Sequence, residues 1–280
     1  MTEFVMRAVL LSCAWVALAM PAAAQWPPYP TPNVPRLANG EPDLAGPVPM
    51  TADGKPDLSG IWTFVRRGDR GEQGRPVGEP VEPPPGAPPF VNFWDLGFGF
   101  ENGLPYRPWA AELRELRMAN NGIGNPDSYC LPLGHMQFHT HLQPRKIIQN
   151  PDVIVILYEA SAGVRQIFTD GRSLPDNDPL PWWYGYSVGR WEDDTLIVET
   201  SHLRDDGWLD FNGSPFTDEA RITERFRRIN FGRIEIDVTI DDPKAYTEPF
   251  TVRVEHDIML DTNLIEWVCE DEQSTQYFDP

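Results

Sequence analysis

Three of the chain's five histidines, His135, His139 and His141, fall within residues 130–144, CLPLGHMQFHTHLQP. Imidazole titrates near neutral pH, so any of the three could take or give a proton during a reaction. Their spacings of four and two would also let them converge on a metal ion in a helical or kinked segment, whereas in a strand only His139 and His141 would share a face. Zinc or copper would suit such ligands, and His202 could complete the set from elsewhere in the chain. No HExxH pattern is present, and no carboxylate stands beside the histidines in sequence to orient the rings. The leading reading is acid/base chemistry without a cofactor. The alternatives are a zinc or copper site, or imidazoles that merely hydrogen-bond in a loop.

Other residues could complete such a site. Tyr158 and Arg165 lie in otherwise apolar stretches, where an inward phenol or guanidinium could stabilise an oxyanion. In ITERFRR, residues 222–228, Glu224 occupies one face of a strand while Thr223, Arg225 and Arg227 occupy the other. Arg165 and Arg225 are expected inside, paired with a carboxylate such as Glu224 or Asp170. The aromatic residues Trp182, Trp183 and Tyr184, with Trp208 and Phe211 downstream, either line a pocket for a flat apolar ligand or fill the core. Phe90, Phe93, Trp94, Phe98 and Phe100 alternate with glycines and read as a lid over apolar surface or as cover for a core edge; Trp94 and Phe98 are its candidate ligand contacts. There is no glycine-rich phosphate loop and no GxSxG elbow, which argues against nucleotide cofactors and an α/β-hydrolase.

The elements that must hold these residues are mostly strands. From Arg145 onward the pattern has period two or short apolar runs, which predicts strands near 145–149, 152–158, 163–169, 184–192, 194–202, 220–229, 232–241, 247–259 and 263–269, joined mostly by tight turns. Short connections make antiparallel neighbours. With a strand at 60–66, the fold class is all-β: a mainly antiparallel meander of about ten strands, closed as a lipocalin-like up-and-down barrel able to hold one small molecule. One helix is expected from Pro108 to about Asn120, with Trp109, Leu113 and Leu116 as its apolar stripe.

Residues 1–24 read as a secretory signal, with Arg7, an apolar run from Ala8 to Met20 and Ala22-Ala23-Ala24 before cleavage at Gln25. That run is too short to span a bilayer, and no integral membrane segment is expected in the mature chain. Residues 25–58 form an extended proline-rich lead-in containing an echo, ANGEPDLAG at 38–46 and ADGKPDLSG at 52–60, read as a turn used twice. Residues 59–280 form a single barrel domain with an insertion at 67–144 carrying a proline-rich loop, the aromatic lid, the helix and the histidine segment. The formal charge of -19 repels phosphate backbones, so a small-molecule substrate is expected and nucleic acid is not. The even pair Cys130 and Cys269, left after signal removal, is most simply a disulfide formed in an oxidising compartment, periplasmic or secreted.

The motifs GKPDLSGIW (54–62), RQIFTDGRSLP (165–175), GYSVGRWEDDTLIVET (185–200), ITERFRR (222–228) and EIDVTIDDPKAYT (235–247) together resemble a large family of secreted bacterial proteins. The resemblance spans nearly all of the mature chain and implies the compartment, without bringing an activity. Where that family continues its CLPxG motif with Val-Pro-Arg, this chain has His135-Met136-Gln137, so the departure falls on the histidine segment. These observations lead to one expectation: a cofactor-independent lyase (elimination or retro-aldol type) or isomerase for an aromatic or hydrophobic small molecule. His135, His139 or His141 would move the proton, and Arg165 or Tyr158 would face the oxyanion. The alternatives are a histidine-ligated zinc or copper enzyme and a binding protein without chemistry.

Overall fold

The computed structural model describes residues 29–70, 76–176, 180–265, 267 and 269; the expected signal at 1–24 and its cleavage site lie outside them. The strands are β1 (Gly60–Phe64), β2 (Asp69–Arg70), β3 (Pro76–Val77), β4 (Arg145–Gln149), β5 (Val153–Tyr158), β6 (Val164–Phe168), β7 (Tyr186–Glu192), β8 (Thr195–Ser201), β9 (Arg221–Asn230), β10 (Arg233–Asp241) and β11 (Phe250–Met259). Nine of them close into a barrel in the order β1-β11-β10-β9-β8-β7-β6-β5-β4, with β4 returning to β1, while β2 and β3 form a separate ribbon. Strict alternation makes the wall. On β9, Ile222, Glu224, Phe226 and Arg228 are buried between more exposed neighbours, and on β10 Ile234, Ile236, Val238 and Ile240 are buried in the same way.

Two features depart from the meander read in the sequence. Residues 263–265 form no strand, although their apolar character predicts one. Pairing of β1 with β4 has already closed the barrel, so no edge remains for another strand. This stretch instead runs across the surface, where Ile265 N donates to Glu159 Oε2 at 3.0 Å, and on to a disulfide between Cys269 and Cys130. The second departure is that β6 and β7 run parallel, joined through Ile167 with Ser187 and Phe168 with Val188, because the connection from Thr169 to Gly185 is long enough to cross back along the barrel. Pairing stops there, so the wall opens beside Val164–Gln166.

Helix α1 (Pro108–Ala119) packs through Ala110, while Trp109 and Leu116 of the expected apolar stripe are 42% and 59% exposed. The face turned inward carries Arg114, paired with Asp95 at 2.9 Å, and Arg117, whose guanidinium covers Trp208 at 4.4 Å. Aliphatic stems with satisfied charges thus replace the leucine stripe. The sequence echo is also an echo in structure: Leu37 N donates to Glu41 O and Asp43 N to Pro35 O, and fourteen residues later Thr51 N donates to Lys55 O and Asp57 N to Pro49 O. Gly40 and Gly54 hold the left-handed corner of each copy, at φ 86° and 77°. No helix among the described residues is long and apolar enough to cross a membrane.

Candidate functional site

The histidine segment is a plug inside the barrel, with Leu133, His135, Met136, Gln137, Phe138, His139 and Thr140 all at 1% exposure or less. Its entry depends on glycine: a Cβ at Gly134 would lie 1.9 Å from the Trp208 carbonyl oxygen, so only a bare backbone passes there. A short helix, α2 (Gln137–Thr140), then places His139 and Phe138 in the interior, and the backbone becomes extended at His141, φ -63° and ψ 149°. Arg145 at the start of β4 holds the far end. Its Nη1 donates to the His139 carbonyl at 2.7 Å, and its Nη2 donates to those of His141 and Gln143 at 2.7 and 3.0 Å. A guanidinium on the free carbonyls of a helix C-terminus supplies the partners that the helix itself lacks. The disulfide from Cys130 to Cys269 ties the other end of the segment to the C-terminal stretch.

Seven strands each contribute a side chain to one polar patch of the barrel interior: Arg145, Tyr158, Arg165, Ser187, Thr200, Glu224 and His256. Glu224, fully buried, is its centre. Arg165 grips both carboxylate oxygens, Nη1 to Oε1 at 2.9 Å and Nη2 to Oε2, and Nη2 also donates to Thr200 Oγ1 at 3.0 Å and Ser187 Oγ at 3.1 Å. His139 Nε2 lies 2.7 Å from Glu224 Oε1, and His135 Nε2 lies 3.6 Å from Oε2. Neither ring nitrogen of His135 has a hydrogen-bond partner, nor does His139 Nδ1.

These surroundings set the charge states. Burial raises the Glu224 carboxyl, but the Arg165 charge, the hydrogen bonds from Arg165 and His139 and the nearby His135 outweigh it and hold the group well below the usual carboxylate range. Arg165 is raised: burial lowers it, and Glu224 more than compensates. Burial pushes His135 down to about 4, and burial with the nearby Arg165 and Arg145 charges lowers His139 despite Glu224. His256 is lowered well below its ordinary value by burial, Arg145 and His139. At neutral pH Glu224 and Arg165 therefore form a balanced ion pair flanked by neutral imidazoles, while Arg145 remains a second buried cation that donates to backbone carbonyls. An ionised Glu224 requires His139 to present Nε2–H to it, which leaves Nδ1 as an unpartnered acceptor.

The structure separates the other residues singled out in the sequence. His141 is half-buried beside Asp127, 3.8 Å away, with Phe93 edge-on at 5.6 Å, because the extended backbone there turns it from Glu224. His202 ends β8 in the left-handed region, φ 57°, with Nδ1 2.7 Å from Ser201 Oγ. The four-histidine metal set therefore does not assemble. His135, His139 and Glu224 do, with ligand atoms all within 4.8 Å of one another. Arg225 is not inside: its side chain is 52% exposed and lies 3.7 Å from Glu192 on the outer wall, as the alternation with inward Glu224 demands. Arg165 is inside and paired with Glu224 as expected, and its donors face Glu224, Ser187 and Thr200.

Trp94 packs on Phe211 at 4.3 Å, Phe98 is half-buried in the same segment, and Trp208 lies buried under Arg117. These three are not among the residues that line the cleft reaching Arg165. Trp182, Trp183 and Tyr184 are: with Pro132, Phe168, Tyr186 and Ser187 they border a cleft of about 320 Å³ whose lining includes Arg165. It lies where β6 and β7 part. Phe138 stands between cleft and cluster, 5.6 Å from Tyr184, 4.7 Å from His139 and 4.9 Å from Tyr158, centroid to centroid.

Arg145, Ser187, Thr200 and His256 were not singled out in the sequence. His256 was within reach, since period two from the inward Val252 and Val254 lands on it. Arg145 was not, because the carbonyls it serves belong to the end of a helix of only four residues and to the extended stretch that follows it. The sequence matches no protein-family model and none of the curated proteins, so the reading of this site rests on its geometry.

Proposed function

We propose that this chain is an acid/base enzyme of the periplasm, a lyase or isomerase that acts on an aromatic or otherwise hydrophobic small molecule entering by the cleft between β6 and β7. One observation carries the reading: His139 is held by a buried, ionised Glu224 and keeps its other ring nitrogen unpartnered. In the proposed reaction Nδ1 takes a proton from a carbon or hydroxyl, Glu224 stabilises the imidazolium that forms, and elimination, isomerisation or retro-aldol cleavage follows. Arg165 is a positioning residue that fixes the Glu224 carboxylate. Movement of the Tyr184 stretch admits substrate past Phe138. The disulfide agrees with an oxidising compartment and with the signal read at residues 1–24.

The test is turnover of hydroxylated aromatic dimers by the purified, chelator-treated mature protein. His139→Ala is expected to lower kcat/KM by about 10²–10⁴-fold, the range for loss of a general base. Equal turnover in His139→Ala and the parent would end the proposal.

A zinc or copper centre on His135, His139 and Glu224 is the second reading, favoured by the two unpartnered nitrogens of His135. Electrostatics weigh against it. Glu224 is already neutralised by Arg165, so a divalent ion would add two uncompensated charges to the barrel interior. Elemental analysis is expected to find far less than one zinc or copper per chain; a full equivalent, lost in His135→Ala, would establish the metal instead.

A further inference from the structure

Tyr158 and Tyr184 form a second feature of this interior. Their rings stack at 5.8 Å with 29° between planes, and each hydroxyl is buried without a hydrogen-bond partner of normal geometry among the described residues, Arg165 being the charge that acts on Tyr158 most strongly. A buried hydroxyl left unpaired is costly, so two on neighbouring, stacked rings call for an acceptor. The sequence also makes room for them. Gly163, just before β6, lies so close to the Tyr184 hydroxyl that a Cβ there would come within 2.3 Å of the oxygen. Tyr184 belongs to the cleft lining, and both tyrosines pack on Phe138, the residue that separates the cleft from His139.

We propose that the Tyr158 and Tyr184 hydroxyls are a paired donor site for the carbonyl oxygen of an uncharged aromatic ketone or aldehyde. This rests on the proposed function, in which the ligand enters at the same cleft, and narrows its substrate class. A carbonyl accepts two hydrogen bonds through its lone pairs and brings no charge. A carboxylate would need a cation, and the nearest candidate, Arg165, already donates to Glu224, Ser187 and Thr200. Both phenols also stay protonated over the working range, since burial pushes Tyr158 up to about 12 and raises Tyr184 as well. If His139 removes a proton beside this carbonyl, the same donors receive the enolate oxygen, so they would act in the reaction as well as in binding.

The experiment uses 4-dimethylaminoacetophenone, with 4-dimethylaminobenzoate as the charged counterpart, and reads binding by calorimetry and the ketone C=O stretch by difference infrared spectroscopy. The ketone is expected to bind with its stretch shifted to lower frequency than in water. Tyr158→Phe and Tyr184→Phe should each reduce that shift and weaken binding by about three- to tenfold, the worth of one neutral hydrogen bond. Gly163→Ala, which keeps both hydroxyls but displaces that of Tyr184, should reproduce the Tyr184→Phe shift. The benzoate should bind at least tenfold more weakly than the ketone. An unshifted stretch, no binding of the ketone, or equal binding of the benzoate would overturn the proposal. His139→Ala separates the two claims: a lost reaction with an intact carbonyl shift supports this site, while a shift that disappears only in that variant contradicts it.

Discussion

Replacing Arg165 by methionine is expected to lower folding stability by about 3–5 kcal/mol, the cost of leaving one partner of a buried ion pair uncompensated. Arg165 and Glu224 are exposed by about 1% and 0%; the neighbouring imidazoles are neutral at pH 7, and Arg145, the other cation of the patch, donates to the His139, His141 and Gln143 carbonyls and not to that carboxylate. Denaturant unfolding at neutral pH measures the loss. The pairwise nature of the effect is checked by adding Glu224→Gln to the Arg165→Met background, which should restore much of the stability because the buried charge disappears with its partner. A loss below about 1 kcal/mol for Arg165→Met would mean that water reaches Glu224 and that the interior is not dry.

The second large effect concerns the disulfide. Cys130→Ser with Cys269→Ser is expected to destabilise the protein by about 2–5 kcal/mol, since the bond closes a loop with a sequence separation of 139, among the longer loops for which the entropic gain is largest. Loss of the bond should also loosen the plug. Cys130 is the first residue of the histidine segment and sits in the left-handed region, φ 57°, at the end of the turn Pro126–Tyr129. The amides of residues 135–140 should therefore exchange with solvent faster than those of β9 and β10 in the double variant. Equal unfolding midpoints for parent and variant under oxidising conditions would contradict this.

The barrel was legible in the sequence because alternation is a local signal. Strands β4 to β11 appear where period two places them, within a few residues. The tenth strand was misread for the same reason: residues 263–269 carry the local pattern, but closure by β1 and β4 is a property of the whole chain. The parallel pair β6 and β7 was likewise outside local reach, since it depends on where the connection from Thr169 to Gly185 returns. The site was half legible. His135 and His139 stood out by spacing, and Arg165 and Glu224 by polarity within apolar strands. That His139 meets Glu224, separated from it by 85 residues, is a consequence of plugging, which the sequence does not announce. The same plugging explains why His141 and Arg225, equally prominent by type, fall outside the cluster.

The neutral state of the plug histidines is the claim on which the acid/base reading depends. His135, His139 and His256 have folded-state values below the ordinary 6.5, so the unfolded chain takes up protons first as pH falls. Their contribution to stability is full above about pH 6.5 and is lost as pH falls below it, toward about 4 for His135. The direct measurement is a ¹⁵N-histidine NMR titration from pH 8 to pH 5, with His139→Gln used to assign its signals. His139 is expected to be neutral at pH 7, protonated on Nε2 toward Glu224 and bare on Nδ1, and to gain its second proton at lower pH than an ordinary histidine. An imidazolium at pH 7, or a proton on Nδ1, would contradict this.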